Sequence, residues 1–262
     1  MASYRFTGAR VWSPQVQDFI QRDLFVKNGQ IVPPISHAQT IALDGHLIFP
    51  AVLNAHDHLE LNHYPRTRFQ EHYENAHQWG EDVNKRLNEE PFASLRAQPL
   101  KTRLWHGGLK NLLCGALTVF QHGPPHRPLF HADFPVYIPR KYGWVHSLHF
   151  NTAEEISHTY QRTPTNIPWF IHLAEGTDAI AAEEYQRLKT LGCIGANTVL
   201  VHGVGLREED LHEAAQSTKG LVWCPSTNLY LLGQTAKVEQ WVAHGGRLFL
   251  GSDSRLTADG DW

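Results

Sequence analysis

The chain has 262 residues, 42% of them hydrophobic and 19% charged, with a formal net charge of -3 at pH 7. That supplies apolar material for a substantial core and excludes a general electrostatic attraction to nucleic acid. No basic leader followed by an apolar stretch is seen, nor any run approaching the roughly 20 apolar residues of a membrane span, so the default is a soluble cytoplasmic protein with no membrane partner.

Residues 1–50 hold short strand-like pieces at 4–12, 23–27, 30–32 and 40–43, broken by Asn28-Gly29, Pro33-Pro34 and Asp44-Gly45. Asn-Gly and Asp-Gly are hairpin signals. The texture then changes. Residues 47–54 read as the first of a series of apolar strands, and this one runs into His56-Asp57-His58. Residues two apart in a strand face the same side, so both imidazoles can face one metal ion. In a chain with 18 histidines the pair alone decides little.

Residues 75–87, with Trp79 and Val83, and residues 100–113 read as helices; Pro99 is tolerated in the first turn of the second, while Gly107-Gly108 weakens it. A second strand is expected over 116–122. Pro124-Pro125, Pro128 and Pro135 then mark an irregular loop which, at a catalytic face, would shape a substrate pocket. A third and a fourth strand must share residues 135–150, too few for an intervening helix.

The next runs each end in polar residues. Pro168-Trp169-Phe170-Ile171-His172-Leu173-Ala174-Glu175 places an imidazole and a carboxylate three apart. Thr198-Val199-Leu200-Val201-His202-Gly203 ends on a histidine, and Arg247-Leu248-Phe249-Leu250-Gly251-Ser252-Asp253-Ser254 on an aspartate. Residues 221–224 form a further strand, and 179–191 and 208–217 have helical composition. Short apolar runs alternating with helices are buried parallel strands. Polar residues at the C-terminal ends of successive strands are what a (β/α)8 barrel displays.

The ordered set His56-Asp57-His58, His172-Leu173-Ala174-Glu175, His202-Gly203 and Gly251-Ser252-Asp253-Ser254 resembles the amidohydrolase superfamily, and within it the mononuclear cytosine-deaminase-like and chlorohydrolase-like enzymes. Gly115-Ala116-Leu117-Thr118-Val119 and Cys224-Pro225-Ser226-Thr227-Asn228 fit its second and seventh strands. The resemblance implies an α/β fold: a small N-terminal β-sandwich portion over 1–50 and a (β/α)8 TIM-type barrel over 51–262, incomplete at its last helix. It implies one divalent cation on His56, His58, His172 and Asp253, zinc first and iron or manganese next, since imidazole and carboxylate suit these ions. Glu175 would be general acid/base, His202 would polarise the attacked group or steady an oxyanion, and Asp253 would also take the water proton. The reaction implied is hydrolysis of a C–N bond in a small molecule: an amidine, a cyclic amide, or an aminated or chlorinated heterocycle.

The sequence stops nine residues after Asp253, without the family's eighth helix or returning sandwich strands. Apolar surface on the first and last barrel strands should then be uncovered, and three explanations stand: a truncated gene product, a partial chain, or an enzyme whose barrel edge a second copy covers. The competing functional reading is a catalytically silent metal-binding or interaction protein. A lone strand-end histidine is more often structural than a ligand, so the assignment rests on the four-part set. His122, His146 and His149 are candidates for pocket contact, as are Tyr73, Trp79, Trp105 and Arg140. Ser226 and Asn228 either contact substrate or cap the following segment. Lys141 would suit a binuclear site, which the His172-to-Glu175 spacing disfavours. Cys114, Cys193 and Cys224 show neither zinc-finger spacing nor a disulfide framework and read as buried apolar residues.

Overall fold

Glycine turns and short β-branched or aromatic pieces build the first part of the chain. In the computed structural model, which describes residues 2–259, it comprises β1 (Ser3–Thr7), β2 (Arg10–Ser13), β3 (Asp18–Gln21), β4 (Leu24–Lys27), β5 (Gln30–Val32), β6 (Gln39–Ala42) and β7 (Leu47–Ile48). They form sheets ordered β5-β4-β1-β6 and β3-β2-β7. Asn28 and Gly29, with φ of 55° and 74°, supply the two left-handed residues of the tight β4–β5 hairpin that Asn-Gly predicts. The single piece expected over 4–12 is broken at Gly8, where any Cβ would collide with the Asp44 carboxylate. Asp44-Gly45 is a turn but closes no hairpin: β6 pairs with β1 and β7 with β2, so the chain passes there from one sheet to the other.

The chain divides into two units, Met1–Ala51 and Val52–Trp262. The second begins with β8 (Val52–Asp57) and continues through α1 (Ala76–Lys85), α2 (Phe92–Arg96), α3 (Leu100–Leu113) and β9 (Ala116–Gln121). Then come β10 (Gly143–Ser147), α4 (Ala153–Arg162), β11 (Trp169–Leu173), α5 (Ala179–Thr190), β12 (Thr198–His202) and α6 (Glu208–Ser217). Last are β13 (Gly220–Trp223), α7 (Pro225–Leu232), α8 (Val238–Ala243) and β14 (Leu248–Leu250). The strand expected over 47–54 is in fact two. Leu47–Ile48 belongs to the first unit, and Pro50, lacking an N–H, precedes β8, which continues past Asn54 through Ala55, His56 and Asp57.

Strands β10 to β14 form one parallel sheet in chain order, and β8 and β9 a parallel pair. A parallel bridge joins Asp57 to Asp253, just past β14, and another joins Thr118 in β9 to Tyr137. Tyr137 donates to Leu117 O and accepts from Val119 N at 2.9 and 3.0 Å. Residues 135–150 therefore hold two parallel segments, Tyr137 and β10, with no helix between.

β11 and β12 are buried along their whole length, which is why their sequences read as continuous apolar runs. Trp169, Ile171, Leu173, Leu200 and Leu221 pack toward Leu188, Leu211 and Trp241 of the helices, while Phe170, Val199, Val201 and Val222 pack among themselves with Ala55. The Gly107-Gly108 pair does not break α3. A Cβ at Gly107 would strike the Leu59 carbonyl and one at Gly108 the Phe134 ring, so the glycines bring the helix against the turn that follows β8. Leu53, Leu117 and Leu250 are exposed, and Cys114 is only half-buried where burial was expected. Among the described residues no helix is long and apolar enough to cross a membrane.

Candidate metal centre

His56, His58, His172 and Asp253 each offer one ligand atom, and these atoms lie within 4.8 Å of one another. His56 Nε2 is 3.1 Å from both Asp253 Oδ1 and His172 Nε2; His58 Nε2 is 3.3 Å from His172 Nε2 and 3.5 Å from Asp253 Oδ1. Burial lowers the pKa of His56, and burial with the neighbouring histidines lowers that of His172 further, so both rings are neutral and present lone pairs. Burial alone would raise the Asp253 carboxyl, but the His56 hydrogen bond and the fields of His58, His56 and His202 hold it well below the usual carboxylate range. Three imidazole nitrogens and an ionised carboxylate oxygen turned onto one point are a donor set that fits Zn²⁺, Fe²⁺ or Mn²⁺.

A fourth histidine fixes the tautomer of the first. His122 Nε2 lies 2.9 Å from the Val145 carbonyl and can only donate to it, which leaves His122 Nδ1 as an acceptor 3.2 Å from His56 Nδ1. His56 therefore carries its proton on Nδ1 and keeps Nε2 free for a cation. Such outer partners orient ligand histidines and raise their basicity. His122 also stacks on His172 at 4.2 Å and 8°. It is buried and does not line the cavity.

Asp57 is not among the candidate ligands. Fully buried, its carboxylate receives Asn62 Nδ2 at 2.6 Å, Lys110 Nζ at 2.5 Å, Asn111 Nδ2 at 2.9 Å and Ser252 Oγ at 2.8 Å. Asn54 Nδ2 adds bonds to Asn111 Oδ1 and Ser252 Oγ, each 2.7 Å. One buried network thus ties β8 to α3 and to the residue before Asp253.

Backbone conformation aims the remaining groups. Strict alternation along β12 would point His202 to the side of Leu200, and along β11 Glu175 to the side of Leu173. Instead Ala174, His202 and Asp253 adopt left-handed φ values of 54°, 75° and 58°. The chain turns at each strand end, and Glu175, His202 and Asp253 all face the cavity. Non-glycine residues in this region are strained, by about 1–3 kcal/mol each, and are held by their surroundings. At Ala174 the holder is Glu184, whose Oε2 accepts from Ala174 N at 2.6 Å. Its Oε1, buried and without a hydrogen-bond partner, faces the same cavity 3.6 Å from His77 Nε2.

Burial raises Glu175 well above the usual carboxylate range, with Asp253 and Glu184 adding to the effect. His202 Nε2 lies 3.5 Å from Glu175 Oε1, and His202 Nδ1 lies 2.8 Å from Asn228 Oδ1. Burial holds His202 down at about 4, so the ring is neutral; it donates Nδ1–H to Asn228 and turns a lone pair toward Glu175. Asn228 thus orients His202, and neither of the two roles anticipated for it applies.

The cavity above the ligands measures about 580 Å³. His146 and Trp79 line it, with His146 kept neutral at about 3 by burial and the adjacent histidines. The other expected wall residues lie elsewhere. His149 stacks on His77 at 4.2 Å, Tyr73 hydrogen-bonds Asp82, Trp105 sits edge-on to Phe134, and Arg140 covers Phe130. Lys141 is exposed and outside the cluster, and Ser226 Oγ receives Asp259 N at 3.4 Å. Asp57, Lys110, Asn111 and Glu184 were missed by sequence reading. For Asp57 the signal was its place between the two histidines; for Glu184 there was none beyond a helical glutamate.

No family model and no curated protein matches the chain. Solved structures do. Triazine hydrolase from Arthrobacter aurescens superposes with a TM-score of 0.77 at 15% identity, over 99% of this chain and 73% of that one. A zinc-bound adenosine deaminase from Xanthomonas campestris gives 0.74 at 14% identity, over 98% and 70%. Helicobacter pylori aminofutalosine deaminase gives 0.68 at 13% identity, over 98% and 78%. The chain therefore has the fold of these hydrolases and deaminases.

Proposed function

We propose that the chain is a metal-dependent hydrolase of the amidohydrolase type, its strand segments closing as a (β/α)8 barrel in which Tyr137 and β10 take the third and fourth places and the Asp57–Asp253 bridge the seam. The observation that carries this reading is the convergence of His56, His58, His172 and Asp253, the last three lining a cavity that Glu175 and His202 also line. A divalent cation, zinc first, supplies Lewis acidity there and lowers the pKa of water from about 15.7 toward about 7.

The chain's own groups manage the protons. Glu175, kept protonated by burial, donates to the leaving or ring nitrogen of the substrate. A neutral His202 cannot donate from Nε2, because its proton is committed to Asn228; it steadies a developing oxyanion only while it holds the one Glu175 proton, taken across 3.5 Å and passed back before Glu175 protonates the nitrogen. Asp253, ionised, accepts the proton of the attacking water and returns it through this pair. The apolar walls and the size of the cavity suit a small heterocycle or cyclic amide, and the bond cleaved is C–N or, by the same addition, a ring C–Cl.

Metal analysis of the purified chain, followed by turnover of aminotriazines, aminopyrimidines and pterins, tests the proposal. About one zinc, iron or manganese per chain is expected, lost in Asp253→Asn. In Glu175→Gln the metal should stay while turnover falls on the order of 10²-fold or more. A wild-type chain that takes up no divalent metal, or a Glu175→Gln variant as active as wild type, would overturn it.

A further inference from the structure

The cavity holds two guanidinium groups that the proposed hydrolysis does not use. His58, His172 and Asp253 lie deep in it, Tyr64, Trp79, Phe92 and Leu256 make an apolar and aromatic wall, and Arg103 of α3 and Arg96 of α2 also line it. Arg103 is half-buried and Arg96 exposed, so the cations stand nearer solvent than the ligands do. Arg103 Nε is enclosed and has no hydrogen-bond partner. Among the described residues no carboxylate pairs with Arg103, while other arginines nearby are engaged. Arg86 binds Asp82, Arg66 binds Asp259, and Arg68 donates to the Tyr230 carbonyl at 2.6 Å. Arg96 Nη1 reaches Asn88 Oδ1 only weakly, at 3.4 Å. Glu60 shares the lining, but its Oε2 already receives Gln121 Nε2 at 2.6 Å and it pairs with neither arginine.

An enclosed charged donor without an acceptor is costly, and a ligand bearing the acceptor removes that cost. A guanidinium fork matches two oxygens of a carboxylate or phosphate. We propose that the substrate carries an oxyanion on an aromatic or apolar body, gripped by Arg103 with Arg96 at the rim, the body lying against Trp79, Tyr64 and Phe92. The placement of the reacting bond at the histidine floor rests on the hydrolase reading above; the anion site does not.

Calorimetric titration of the chain, zinc-loaded and zinc-stripped, with benzoate, phenyl phosphate and neutral benzamide tests the site. At least one anion should bind on the order of tenfold more tightly than benzamide, as one charge-assisted pair provides. The stronger of the two tells carboxylate from phosphate recognition. Arg103→Gln should abolish that preference without altering benzamide binding or zinc content, and Arg103→Lys should retain part of it. Equal binding of all three probes by wild type overturns the proposal, whatever the variants do. So does anion binding that survives Arg103→Gln but disappears on zinc removal, since the metal then holds the anion. Arg103-dependent binding in a chain that takes up no metal would sink the hydrolase reading and leave the anion site standing; full zinc with no anion preference would do the reverse.

Discussion

The two sides of the candidate metal centre are built by different means. His172 lies within β11, His202 ends β12 and Asp253 follows β14 of a continuous parallel sheet, and left-handed backbone at the strand ends turns His202 and Asp253 toward the cavity. His56 lies in β8 and His58 just after it; β8 pairs with β9 in an interrupted register and is bridged to Asp253, and there Asp57 and its partners from α3 add the tethering. Where the sheet is continuous, local strain suffices to aim a side chain; where strand pairing is interrupted, a buried polar network reinforces it. The first arrangement stores strain and the second buries charge, so each side should fail differently.

Breaking the network should have the largest effect. Asp57→Asn leaves the nearly buried Lys110 ammonium without its counter-charge, a change expected to cost roughly 3–5 kcal/mol. Urea unfolding measures it, and a loss under about 1 kcal/mol would show that the sheet alone holds β8.

Glu184 provides the matching test on the other side. Burial raises its pKa from 4.5 to about 7, so the folded chain keeps a proton that the unfolded chain releases, and stability falls by roughly 3 kcal/mol as pH rises from 4.5 to 7. His77, lowered by burial and by His149 from 6.5 to about 4, acts in the opposite sense: the unfolded chain binds that proton first, so stability rises from pH 4 to 6.5. In wild type the two slopes oppose. Glu184→Gln keeps an acceptor for Ala174 N and leaves the His77 slope alone, so its urea midpoint should climb between pH 4.5 and 6.5 relative to wild type. Parallel pH profiles would mean that the Glu184–His77 pair titrates as a unit.

Replacing His122 with Phe keeps the ring and removes the acceptor that fixes His56. Zinc affinity should fall about 10–100-fold in competition with a chromophoric chelator. An unchanged affinity would assign His122 to packing alone. The smallest effect is expected at Ala174→Gly, where relief of left-handed backbone is largely offset by added freedom in the unfolded chain, a net gain below about 1 kcal/mol by thermal melting. A clear loss would mean that the methyl group, buried in the core, outweighs the strain.

Much of this arrangement was legible beforehand because burial and periodicity leave direct marks on sequence. The runs ending in His172, His202 and Asp253 are continuous and apolar since both faces of their strands are covered, and helices α3 and α6 run over the residues expected for them. The strand over 47–54 was misread because Leu47–Ile48 and β8 are both apolar, and only sheet pairing assigns them to different units. Gly107-Gly108 looked like a helix defect because the close approach of Leu59 and Phe134 is a contact between distant segments.

By itself the sequence determined which chemical groups are available and the strand ends on which they are carried, since alternation and apolar runs are local properties of the chain. Only the tertiary structure decided where those groups point and what holds them. The turns at Ala174, His202 and Asp253 override alternation, and the partners of Asp57, His56 and Arg103, or the want of one, depend on segments far apart in sequence. Local pattern encodes burial; aim and pairing are settled by which distant residues share the same small volume.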